Sequence, residues 1–417
     1  MQFVNDRYQI GGVDALRIVE QYGAPVYVYD ADRMKRQYTR ICDAFSGVPR
    51  LRINYACKAL TNLNVLRLFR QLGSGLDTVS MQELDLGLMA GFDPHDILFT
   101  PNCVSLEEVN EAVSKGVRIN IDNISILEQF GDQHRGVPVC IRLNPHIMAG
   151  GNSKISVGHI DSKFGISIHQ VPHVLKVISA LDLKVEGLHM HTGSDILDAQ
   201  VFLQAVEILL RAAADFPDLD YLDFGSGFKV PYKEGGIATD IEDLGERLTG
   251  RFNEFCREYG RELELMFEPG KFLVSEAGTF LVRTNVVKTT PATVFAGVDS
   301  GLNHLIRPMF YDAYHHITNV SNPSGKQRIY TVVGYICETD TFGINRQLSE
   351  VREGDILAMD NAGAYCFMMA SNYNSRYRPA EVMVLDGEPH LIRRRERMED
   401  LLGTQVELAQ LKPSVKV

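Results

Sequence analysis

No stretch of the sequence is apolar for long enough to span a bilayer, and the N-terminal MQFVNDRYQIGG lacks the charged-then-apolar order of an export signal. A cytoplasmic protein is therefore expected. No long basic block interrupts a net charge of −11, which argues against nucleic acid as the partner. The one basic cluster, Arg393 to Arg395, is followed by Glu396 and reads as a solvated strand end. The seven cysteines (42, 57, 103, 140, 256, 337 and 366) are scattered and include no C-x-x-C. That dispersal fits a reducing cytoplasm better than a disulfide scaffold or a structural zinc site. Internal repeats and low-complexity segments are also lacking.

What is present suits a soluble globular protein with a large core: 45% of residues are apolar and 23% charged. A chain of 417 residues exceeds one ordinary compact domain unless it is a barrel with an addition. Between residues 50 and 270 a short apolar run alternates with a helical segment. The runs are LRINYACKA (51–59), GLDTVS (75–80), DILFTP (96–101), VRINID (117–122), VCIRLNP (139–145), VEGLHMHTGS (185–194), YLDFGSG (221–227) and LELMFEPG (263–270). In the first intervening segment Val65, Leu68, Phe69 and Leu72 share one helical face. Ser80 with Glu83, Ser105 with Glu108, and Ser125 with Glu128 read as helix-starting capping boxes. Gly73, Gly91, Gly116 and Gly260 fall where helices should stop.

Eight strand–helix units predict an α/β protein built on a closed (β/α)8 barrel of the TIM type. A doubly wound open sheet would need a phosphate-binding glycine turn after the first strand, and YACKALTN has none. After residue 277 the texture becomes strand-like, and Asp386-Gly387 is a hairpin signal. The organisation expected is a barrel over 34–277 and a C-terminal all-β domain over 278–417, joined by the N-terminal segment 1–33 through its strand APVYVYD (24–30).

Functional groups of such barrels collect at the C-terminal ends of the strands. The polar residues there are Lys58, Asp77, Asn102, Asp122, Arg142 with Asn144, His189 with His191 and Ser194, Asp223 with Ser226, and Glu268 with Lys271. Gly225-Ser226-Gly227 after the seventh strand and Glu268-Pro269-Gly270-Lys271 after the eighth occupy the usual phosphate-binding place, where glycines admit an anion to backbone amides. Ser194 could add a hydroxyl. A phosphate at that end and a lysine at the first strand suggest pyridoxal phosphate: the amine of Lys58 anchors it, Glu268 faces its ring nitrogen, and His191 stacks on the ring. The rival reading is a metal at His189-x-His191, two imidazoles on one face of a strand. Metal-dependent hydrolase barrels carry such a pair on the first strand rather than the sixth, so no metal is expected.

The order Tyr55-Ala-x-Lys58-Ala, His191-x-Gly-Ser194, Gly225-x-Gly227, Glu268-Pro-Gly270, Cys337-Glu338 and Gly363-Ala-Tyr365 resembles the fold-type III pyridoxal-phosphate decarboxylases. The resemblance covers roughly residues 24 to 400. LIRPMFYDAYHHI (305–317), SKFGI (162–166) and SNYNSRYRPAEV (371–382) are most similar to the branch acting on meso-2,6-diaminopimelate, which yields L-lysine and carbon dioxide. The alternative substrate is carboxynorspermidine or another biosynthetic amino-acid derivative. A non-catalytic carrier of the cofactor would be a lone barrel, so the second domain argues against it.

The resemblance implies roles residue by residue. Lys58 matches the Schiff-base lysine, His191 the ring-stacking histidine and Glu268 the partner of the ring nitrogen. Ser194, Gly225 and Gly227 match the phosphate cradle. Asp77, Ser226, Gly270, Lys271 and Tyr365 complete the expected cofactor set. Arg307 and Tyr311 match groups that hold a substrate carboxylate. Cys337, near the carbon that is reprotonated, and Glu338 match residues that reach the substrate from a neighbouring subunit. Tyr365 matches the tyrosine that closes over cofactor and substrate. The expected partners are an amino-acid substrate and a second copy of the chain, in a homodimer with shared active sites. The sequence departs from the family pattern at Lys271, usually arginine, at Ser226, usually glycine, at Asp195, often glutamine, and at Thr339, usually serine. Lys271 is also placed among the substrate contacts, because a point charge there replaces a planar fork.

Overall fold

The computed structural model describes residues 1–147, 161–193, 196, 199–233 and 235–411. Its eight parallel strands are β1 (Leu51–Ala56), β2 (Gly75–Thr78), β3 (Ile97–Phe99), β4 (Arg118–Ile121), β5 (Val139–Asn144), β6 (Val185–His189), β7 (Tyr221–Asp223) and β8 (Glu264–Phe267). Each pairs with the next, and β8 returns to β1 in the register Leu265↔Leu51, Met266↔Arg52 and Phe267↔Ile53. The barrel is closed. Its strands are short and buried on both faces, so they read as near-continuous apolar runs rather than as alternation.

The helices between them start and stop where backbone chemistry requires. Ser80 accepts the Glu83 amide at 3.2 Å, and Glu83 reaches back to the Val79 amide at 3.0 Å. Ser105 accepts the Glu108 amide. The third start lies two residues before the expected Ser125: Asn123 accepts the Ile126 amide at 2.9 Å, and the helix runs Ile124–Gln133. An asparagine side chain caps as well as a serine, so the pattern at 125 was redundant. Gly91 and Gly260 end their helices with φ of 91° and 79°, a conformation that costs glycine little. The helix after β8 is a single turn, Lys271–Val274. Helix Ala31–Ala44, which precedes β1, packs against that turn and against Ile241–Tyr259.

The chain divides into two compact units. One comprises Ala31–Gly278 with Gly363–Met368, the other Met1–Asp30, Thr279–Ala362 and Met369–Val417. In the second unit a sheet runs in the order Thr341–Ser349, Gln327–Val333, Val294–Val298, Gly278–Thr289, Val26–Asp30, Ala380–Leu385, Glu388–Arg393. Val26–Asp30 lies parallel to Ala380–Leu385 and is almost wholly buried. Asp386 and Gly387 join the last hairpin with φ of 52° and 78°, as a two-residue turn between right-twisted strands requires. The core beneath includes Val26, Val28, Leu281, Ala358 and Val382. A small sheet at the N-terminus, Gln2–Val4 with Arg7–Ile10 and Val13–Asp14, was not foreseen.

Candidate active site

Lys58 sits in a one-turn 3-10 helix, Cys57–Ala59, directly after β1. Its amine donates to Asp77 Oδ2 at 2.9 Å. Asp77, near the end of β2, is buried, and its Oδ1 has no partner among the described residues. Burial acts to lower the Lys58 pKa, but Asp77, Tyr365 and Glu268 outweigh it and hold the amine above the usual lysine value. Asp77 is shifted upward by burial and by Glu268, against the pull of Lys58.

Opposite stands Glu268, just past β8. Its Oε2 accepts from His189 Nε2 at 3.0 Å, while Oε1 is buried without a partner among the described residues. Burial opposes ionisation, yet His189, Lys58 and His191 prevail and hold Glu268 at about 2. It is a carboxylate at any working pH. His191 is pushed well below its usual value, first by burial and then by Arg142 and Lys58, so its ring is neutral. Its Nδ1 accepts the Ser226 amide at 3.3 Å. The two histidines of the sixth run thus have separate partners, His189 a carboxylate and His191 a backbone amide.

The Gly225-Ser226-Gly227 turn admits no larger residue at its ends. Gly225 has φ of +61°, and a Cβ there would lie 2.6 Å from His191 Nδ1. Gly227 has φ of +118°, and a Cβ would fall 2.1 Å from the Gly193 carbonyl oxygen. The Gly225 amide is fixed by Asp223 Oδ1 at 2.8 Å, and its carbonyl accepts the Glu268 amide at 2.7 Å. The turns after β7 and β8 are therefore tied to each other.

These groups surround a cavity of about 380 Å³ at the C-terminal mouth of the barrel, lined among others by Lys58, His191, Ser226, Gly227, Glu268 and Gly270. Lys271, although charged, is buried against it, and Tyr365 closes one side with its backbone at φ of 57° and its amide bonded to the Ala59 carbonyl at 2.9 Å. Ser194 and Asp195 lie outside the described residues.

The other expected residues belong to the second unit. Arg307 is buried at the start of the short helix Arg307–Tyr311, its guanidinium 5.5 Å from the Tyr311 ring centre. Cys337 and Glu338 are exposed and adjoin Tyr373 and Asn374.

Several groups at the cavity were not singled out as site residues from sequence. Arg142 is a buried guanidinium facing the cavity, 5.0 Å from the centre of the Phe164 ring. Asn102 and His189 also line it. All three are strand-end polar residues, so position along the strand flagged them; their direction could not be read without the barrel.

The fold has counterparts in known proteins. A family model described as pyridoxal-dependent decarboxylase, pyridoxal binding domain, matches residues 31–275. Diaminopimelate decarboxylase of Methanothermobacter thermautotrophicus is 41% identical, over 98% of this chain and 98% of its own. The solved structure of diaminopimelate decarboxylase from Methanocaldococcus jannaschii superposes with a TM-score of 0.90 at 30% identity, covering 99% of this chain and 98% of that one. That of diaminopimelate decarboxylase from Helicobacter pylori, complexed with L-lysine, gives 0.85 at 30% identity, covering 94% and 98%. The chain belongs to the pyridoxal-dependent decarboxylases and, within them, to the diaminopimelate decarboxylase family.

Proposed function

We propose that the chain decarboxylates meso-2,6-diaminopimelate to L-lysine and carbon dioxide, with pyridoxal phosphate as cofactor, in the cytoplasm. The observation that carries this reading is Lys58: an amine at a barrel-strand tip, facing a cavity whose buried carboxylate Glu268 has one oxygen unused among the described residues. Similarity over the whole length to proteins named for that substrate supports its choice.

The residues fit the cofactor. A protonated ring nitrogen needs a carboxylate, and Glu268 Oε1 is buried and available. A phosphate needs close backbone, and Gly225, Ser226, Gly227 and Gly270 offer it, with Lys271 as a side-chain contact. Lys58 would hold the cofactor covalently, steadied by Asp77. His191, neutral, would lie against the ring. When bound, pyridoxal phosphate supplies an electron sink for the pair left when the bond to the carboxylate breaks.

The chain's own groups do the rest. Glu268, kept ionised by His189, holds a proton at the ring nitrogen. Arg307, with Tyr311, binds the distal carboxylate of the substrate, and Glu338 its distal ammonium. Cys337 returns a proton to the substrate carbon that has lost its carboxylate. In this reading Cys337 and Glu338 serve the site of a second copy, in a homodimer, and Tyr365 covers cofactor and substrate.

The test is release of carbon dioxide and L-lysine from meso-diaminopimelate by the purified protein with added pyridoxal phosphate. Stereospecific conversion supports the reading. A yellow, borohydride-reducible protein without that turnover would keep the cofactor and move the substrate to a sibling decarboxylase.

A further inference from the structure

Three carboxyl groups converge beneath the cavity, and only two have a cationic or imidazole partner. Asp77 has Lys58 at 2.9 Å, and Glu268 has His189 at 3.0 Å. The third, Asp223 at the end of β7, is fully buried and forms no ion pair among the described residues. Its Oδ1 accepts the Gly225 amide at 2.8 Å. Among the described residues its Oδ2 has no partner, and neither has Glu268 Oε1. One ring nitrogen of His189, one carboxylate oxygen of Asp223 and one of Glu268 lie within 4.8 Å of one another.

Two acceptors left over in one dry pocket are both satisfied by a single proton between them, and the second lone pair of Glu268 Oε1 stays open towards the cavity. An unpaired carboxylate in such a place neutralises rather than keeping its charge. We propose that Asp223 retains a proton at neutral pH and donates it to Glu268, so that Asp223 is a positioning residue for the carboxylate facing the cavity.

The surroundings agree. Burial, then Glu268, raise Asp223 well above the usual carboxylate range, while Glu268 is held low. The two carboxyls are pushed apart, as neighbouring acids in different environments are. The groups facing the pair from other strands are Asp77 on β2, Cys140 and Arg142 on β5, and His189 on β6, with Lys58 past β1 and His191 past β6. Asp77 adds a like charge. Arg142 is the cation that favours ionisation, but it stacks on Phe164 and makes no ion pair with Asp223. Asp223 thereby holds two parts at once: the Gly225 amide through one oxygen and Glu268 through the other. The inference rests on the proposed function only for what Glu268 is used for; the proton itself does not depend on it.

Infrared spectroscopy of the full-length, cofactor-free protein at pH 7 tests it. A neutral carboxylic acid has a carbonyl band clear of the amide bands. The expected band shifts on carboxyl-13C labelling of aspartate and is absent from Asp223→Asn. In Glu268→Gln, whose amide can donate to Asp223, the band is lost while the fold, checked by circular dichroism, persists. Absence of an acid band in the wild type overturns the proposal, and so does a band that survives Asp223→Asn. Pyridoxal phosphate affinity provides a second readout. Asparagine mimics the protonated acid and should keep the dissociation constant within about three-fold, whereas Asp223→Leu, which leaves two buried groups unpaired, should weaken binding roughly ten-fold or more. Equal losses in both variants would reduce Asp223 to a space-filling role. A protein with the band but no pyridoxal phosphate binding would refute the cofactor reading and leave the shared proton standing.

Discussion

Tyr373 donates its hydroxyl to Glu338, and the same hydroxyl lies 4.0 Å from Cys337 Sγ. Asn374 completes the group, its amide 3.5 Å from the thiol. Asn374 and Ser375 follow with φ of 56° and 53°, two successive non-glycine residues in the left-handed region. Backbone held that way clusters where a side chain must be aimed. The acidic neighbour Glu338, and then Cys337, push the Tyr373 phenol up to about 12, so it remains a donor through the working range. Tyr373→Phe removes the bond that orients Glu338. KM for diaminopimelate should rise roughly two- to ten-fold, with pyridoxal phosphate affinity unchanged. Steady-state kinetics beside a cofactor titration checks this; an unchanged KM would mean that Glu338 orients itself.

Lys271 is buried at the cavity wall. A compact ammonium serves a phosphate as a point charge but cannot form a fork on a carboxylate. Lys271→Met should weaken pyridoxal phosphate binding roughly thirty-fold, since it removes one member of a desolvated charge pair. Equilibrium dialysis measures that directly. If cofactor affinity holds and KM for the amino acid rises instead, Lys271 faces the substrate.

The barrel was legible because its strands are buried on both faces and its helices carry strong caps such as Ser80 and Ser105. Lys58 and Glu268 stood out because polar strand ends converge on one face of a barrel. The pairing of His189 with Glu268 spans 79 residues and depends on barrel closure, which no local pattern encodes. Strand Thr341–Ser349 carries no clean local signal. Its partner register shifts twice, and Asn345 at φ of 50° breaks the alternation that marks a strand. Tyr373 sat inside a segment noted only for its resemblance, since an exposed tyrosine acquires a role only once Glu338 is beside it.

Two buried histidines of the second unit should make it acid-labile. His304 and His315 are each lowered to about 4, first by burial. Each is neutral when folded and takes a proton near 6.5 when unfolded, so the stability it contributes is present above 6.5 and lost as pH falls towards 4. From those values the loss is at most about 3 kcal/mol per histidine. Asp299, raised to about 6 mainly by burial, works the other way and favours the folded state as pH falls below 6. Urea unfolding at pH 7 and at pH 4.5 should show a net fall. His315→Asn can still donate to the Asp360 carbonyl, which the ring nitrogen Nδ1 meets at 2.9 Å, but it does not titrate. The difference between the two pH values should shrink in that variant, and an unchanged difference would assign the lability elsewhere.

Gly227 offers the sharpest separation of fold from cofactor site. A methyl group there would meet the Gly193 carbonyl oxygen at 2.1 Å, at a φ of +118° that side chains avoid. That oxygen is backbone rather than the free end of a flexible side chain, so the turn itself has to move. The Ile196 amide bonds to the Gly227 carbonyl at 2.9 Å, and that bond would be disturbed with it. β7 and β8, paired through Tyr221↔Glu264, Leu222↔Leu265 and Asp223↔Met266, lie on the other side of the turn and can hold their register. Gly227→Ala should therefore leave the far-ultraviolet spectrum intact and lower Tm by only a few degrees, while pyridoxal phosphate affinity falls roughly a hundred-fold, because displaced amides no longer converge on one anion. Near-wild-type cofactor binding in a folded Gly227→Ala protein would remove the turn from the phosphate site.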